Sequence, residues 1–95
     1  MRNTLYRSAV RGGSVTLVGP DSLAVEVYFK SSGMNAALDR DDVDRLLAVR
    51  ETSVDPVVDI AEFFDNVFAT GWVDAIRMAE MFVASARELA EAFGF

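Results

Sequence analysis

The chain has no histidine and no cysteine, a single lysine (Lys30) and only two prolines. Each absence removes a class of function. Without histidine the commonest general base is missing, and without cysteine so are the strongest side-chain nucleophile, the disulfide and the thiolate metal site. No serine stands in a Gly-x-Ser-x-Gly setting, and Gly12-Gly13 lacks the lysine and helix that would make it a phosphate loop. Two carboxylates alone can hydrolyse a glycoside, but no pair here is marked as buried or distorted. The sequence therefore predicts a protein that is not an enzyme and carries no cofactor. No apolar run approaches the ~18 residues that span a bilayer, and MRNTLYRS lacks the apolar core of a secretory signal, so a cytoplasmic protein is expected.

What is present fits one globular domain, residues 1–95, in which hydrophobic residues make up 52% and charged ones 25%. Charge is unevenly spread about a net −6. Up to residue 38, Arg2, Arg7, Arg11 and Lys30 face only Asp21 and Glu26; from Asp39 onward five arginines face thirteen acids. An acidic back half disfavours binding across the whole surface to nucleic acid and favours a partner with a basic surface.

Strands are expected over Thr4–Val10, Ser14–Val18 and Leu23–Lys30, a meander over residues 4–30, with Gly12-Gly13 as a tight hairpin and Gly19-Pro20-Asp21-Ser22 as a turn. A Gly12-Gly13 loop pairs Val10 with Val15 and Ser8 with Leu17. For Leu23, Val25, Val27 and Phe29 to join Val15 and Leu17 on one face, the second connection must be an odd-length loop at 19–21 or carry a bulge beside it. The other face then shows Arg7, Arg11, Thr16, Glu26 and Lys30 to solvent. Met34–Leu38 would add a fourth strand.

Three helices should follow. Asp39 as N-cap, Asp42 three residues on and a Leu38–Val43 staple start one over about residues 40–51. The same acids, Asp39, Asp41, Asp42 and Asp44, fail as a calcium loop, because its sixth and twelfth positions would be Asp44 and Arg50 instead of Gly and Glu. No metal site is expected. Asp55 followed by Pro56 starts a second helix over 56–70, and Gly71 is its expected C-cap or corner. The third, Trp72–Phe93, is the stretch around which the rest is organised. Trp72, Ile76, Ala79, Val83, Ala86, Ala90 and Phe93 recur at steps of four and three, and Ala75, Met78, Phe82, Leu89 and Ala92 form a second stripe beside them. Together they cover more than half the circumference, more than a single core requires. Met81 falls among the charged residues, outside both stripes.

The expected fold class is α+β, a three-stranded antiparallel meander, four-stranded if Met34–Leu38 pairs, with three helices on its apolar face. The expected function is a small acidic protein-binding module, a regulator or inhibitor that occupies a larger partner through its helical half and rests as a homodimer. Candidate contact residues are the apolar Trp72, Ile76, Met78, Met81 and Phe82 and the acidic Asp55, Asp59, Glu62, Asp65, Glu80, Glu88 and Glu91. Those carboxylates, at helical spacing, could also imitate a phosphate row. The alternatives are a nucleic-acid-binding regulator using Arg7, Arg11 and Lys30, or a structural subunit of a larger assembly.

Overall fold

A computed structural model describes residues 2–20 and 24–93. Four strands come first, β1 (Arg2–Val10), β2 (Gly13–Pro20), β3 (Ala24–Phe29) and β4 (Met34–Asp39), followed by α1 (Arg40–Thr52), α2 (Pro56–Phe68) and α3 (Trp72–Phe93). The strands form one antiparallel sheet in the order β1-β2-β3-β4, so Met34–Leu38 does supply a fourth strand. The fold is α+β, with the helical layer packed on the apolar face of the sheet.

Register decides which face is buried. β2 and β3 pair Val15 with Val27 and Leu17 with Val25, as the alternation requires. Val18 pairs with Ala24, so the connection between the paired residues is odd in length as expected but runs over 19–23 and not 19–21. Its Asp21, Ser22 and Leu23 lie outside the described residues, while Gly19 and Pro20 extend β2 opposite Asn3 and Arg2 instead of opening the turn. A bulge also occurs, but in β1: Leu5 has no partner between Thr4 and Tyr6 and stands half exposed. The first hairpin is corrected too. Its turn residues are Arg11 and Gly12, and the pairs are Ser8 with Val15 and Tyr6 with Leu17. The slip is two residues, so no side chain changes face. Gly12 alone takes a positive φ, 99°, while Gly13 is a strand residue paired with both Val10 and Phe29.

The caps follow their chemistry. Asp39 accepts the Asp42 N–H at 2.8 Å, and Asp55 accepts that of Val58 at 3.3 Å. At the α2–α3 corner the chain reverses within residues 69–71, which needs two left-handed residues. Ala69 (φ 52°) caps α2, donating its N–H to the Asp65 carbonyl, and Gly71 (φ 83°) opens α3, its carbonyl accepting the Ala75 N–H. Gly71 is thus the start of α3 and not the cap of α2, which ends at Phe68.

The core lies between the sheet and α3. Val15, Leu17, Val25, Val27, Ala36 and Leu38 face Ala75, Met78, Ala79, Met81, Phe82 and Leu89, while Ile60, Ala61 and Phe64 of α2 and Val43 and Leu46 of α1 close the sides. The centre of the buried face of α3 is the line Ala75–Met78–Phe82–Ser85–Leu89, so the stripe led by Trp72 and Ile76 is its flank. Ser85 sits fully buried because its hydroxyl donates to the Met81 carbonyl one turn back, at 2.6 Å. Ala92 and Phe93 close the helix, and their side chains lie outside the described set.

Candidate interaction surface on the helical half

Of the apolar candidates, Met78, Met81 and Phe82 are core residues of this chain. Met81 is the instructive correction. Its position is flanked by Arg77, Glu80, Arg87 and Glu88, yet its side chain is buried at the β1–β2 hairpin, close to Gly12 and Gly13, where it lines a hollow of about 380 Å³ together with Phe29. The sheet is wider than one helix, so a side chain at the margin of the apolar arc still finds cover. Support for a homodimer built on that face of α3 goes with these three residues.

Trp72 and Val73 behave differently. They open α3 at the corner and are 45% and 74% exposed, and Val67 in the last turn of α2 is 56% exposed. Ile76 is half-buried one turn beyond Trp72, and Phe68 is half-buried with its ring against Phe63. The residues Val67 and Val73 did not stand out in sequence. Val54 in the α1–α2 link is fully exposed and isolated from this group by the length of α2.

Most of the carboxylates carry local duties. Asp55 caps α2, and Asp59 accepts the Ser53 hydroxyl across the α1–α2 link. Asp65 accepts the Gly71 N–H at 3.0 Å and so fixes the corner. On α3, Glu80 pairs with Arg77 at 3.4 Å and Glu91 with Arg87 at 3.9 Å, both solvent-exposed pairs of small energetic weight. Glu62 is exposed on α2. These separate duties weaken the case for a phosphate-like row. Even so, α2 bears Asp59, Glu62 and Asp65 and no cation at all.

Glu88 ties α3 to the edge strand: it accepts the Tyr6 hydroxyl at 2.7 Å. That hydrogen bond holds the Glu88 carboxyl below its ordinary pKa, and it raises the Tyr6 phenol above its own. A depressed carboxylate stabilises the fold above its unfolded pKa, and the contribution is lost as pH falls through the folded value. A raised phenol contributes below its unfolded pKa, and that part is lost as pH rises through the folded value. Tyr6→Phe should therefore lower stability modestly at neutral pH. In urea melts the deficit should disappear towards acid pH, where Glu88 is protonated in both proteins; a deficit independent of pH would assign it to packing.

The basic candidates lie on the sheet. The Lys30 N–H donates to the Gly12 carbonyl, which brings Lys30 and Arg11 to one end of the sheet, while Arg7 faces outward beside Thr16. Arg7, Thr16, Glu26, Tyr28 and Asn35 line a shallow outer hollow of about 400 Å³, in which the Asn35 amide donates to Glu26 at 3.5 Å. An open groove of about 600 Å³ runs between α1 and α3 over Leu47, Ala48, Ala86 and Ala90. Among the described residues no group of acids is placed to hold a metal ion, and no helix is long and apolar enough to cross a membrane. Comparison with known proteins returns no likeness: no family model, curated protein or solved structure matches the chain.

Proposed function

We propose that the protein is a small, acidic, non-enzymatic binding module, a regulator or inhibitor that acts by occupying a larger macromolecular partner through its helical half. The observation that supports this reading is the α2–α3 corner, where Val67, Trp72 and Val73 are exposed. A single exposed aliphatic residue needs no explanation, but several large ones on the adjoining turns of two helices are a common mark of an interaction site. The corner is held by Asp65 and the left-handed Ala69 and Gly71, so little order remains to be imposed on binding.

Quantitative co-purification from the native cells tests it, comparing wild type with Val73→Glu and with Val54→Glu, the latter a fully exposed position away from the corner. A partner enriched with wild type and with Val54→Glu, and depleted about tenfold or more with Val73→Glu, is the expected result. Equal recovery with all three, or no enriched partner, would remove the helical corner as the working surface.

A further inference from the structure

The chemistry of the partner segment can be read from the same corner, and this step rests on the binding reading above. Trp72 and Val73 are exposed, and Ile76 stands four residues from the first and three from the second, so the three form one contiguous patch on the first turn of α3. α2, which leads into this corner, adds Glu62 on its exposed side, and Asp59 and Asp65, which accept from Ser53 and Gly71, keep their negative charge there; α2 has no cation. An apolar patch beside a helix whose charged side chains are all carboxylates is complementary to a segment with an apolar stripe and a basic flank. Two antiparallel helices present ridges between which a third helix seats.

We infer that the α2–α3 corner docks a basic amphipathic helix, whose aliphatic or aromatic anchors cover Trp72, Val73 and Ile76 while its lysines or arginines face the carboxylates of α2. A second copy of this chain fits less well, because the same corner would bring α2 acids against α2 acids. An anionic lipid surface is repelled for the same reason.

Trp72 is the only tryptophan, so it reports occupancy directly. The probe is an 18-residue Leu/Lys amphipathic helical peptide without tryptophan, with a scrambled peptide of equal composition lacking an apolar face as control. The expected result is a saturable blue shift of Trp72 emission, with affinity about tenfold or more above that of the scrambled peptide. Val73→Glu should lose about tenfold in affinity although it adds a negative charge. Equal or tighter binding by Val73→Glu would mean general electrostatic attraction and would overturn the inference. Absence of binding to wild type would overturn it too, as would a wild-type dimer by light scattering in which Trp72 is already shielded. A partner recovered in a Val73-dependent manner from cells, together with no binding of the basic helix, would leave the proposed function standing and assign the corner a different chemistry.

Discussion

Gly13→Ala should lose about 3 kcal/mol or more of stability, against the ~5–14 kcal/mol that a domain of this size has in total. Gly13 lies in β2 opposite Phe29, and a Cβ built on it would sit 1.8 Å from the carbonyl oxygen of Tyr28, with the Met81 methyl 3.0 Å away. The methionine can move; the carbonyl belongs to the backbone of β3 and cannot move without opening the ladder. The first pairs of β2 with β3 would part, and the hairpin would lift from α3. At roughly 4–8 °C per kcal/mol for a domain of this length, the melting temperature should drop by about 12 °C or more. Gly33→Ala is the matched control. Gly33 has φ 71° but open space around its missing Cβ, so it should cost only the ~1–2 kcal/mol of a left-handed non-glycine residue. If the two variants melt together, close approach at Gly13 is not what the hairpin depends on.

Met81→Asp is the second large effect. The side chain is 3% exposed and packs under the hairpin, where a carboxylate on one methylene is too short to reach water. Loss of the thioether packing and desolvation of a buried carboxylate should together cost at least about 3 kcal/mol, seen as a lower urea midpoint. Were α3 to bury its other flank and leave Met81 to a partner, the same substitution would leave the monomer's midpoint unchanged and alter only its association.

These two residues also mark where the sequence could be read and where it could not. The helix starts were legible because capping is local chemistry: an Asp followed three residues later by the N–H it accepts requires no knowledge of the rest of the fold, and Asp39 and Asp55 both work that way. The face of the sheet was legible because parity is unforgiving, so Val15, Leu17, Val25 and Val27 had to meet whatever the turn did. What failed depended on neighbours distant in sequence. Gly13 looked like a turn residue, but its reason for being glycine is a carbonyl on β3. Met81 looked stranded among charges because periodicity describes one helix and not the width of the sheet beneath it.

The candidate surface was read less well than the fold, for a related reason. Composition and period showed that α3 has more apolar surface than one core requires, without showing which part is surplus. The structure places Met78, Met81 and Phe82 inside and leaves Trp72 and Val73 outside. It also gives Asp55, Asp59, Asp65 and Glu88 duties within the chain, which sequence spacing alone cannot distinguish from a partner-facing row.

That division of α3 underlies everything proposed for the protein, and parallel urea unfolding of wild type, Met81→Asp and Val73→Glu tests it. The expected result is a large loss for Met81→Asp and a midpoint for Val73→Glu within about 0.5 kcal/mol of wild type, as for a substitution at a free surface. A stable Met81→Asp beside a strongly destabilised Val73→Glu would contradict the account, because the α2–α3 corner would then be buried and the hairpin side of α3 would be the open one.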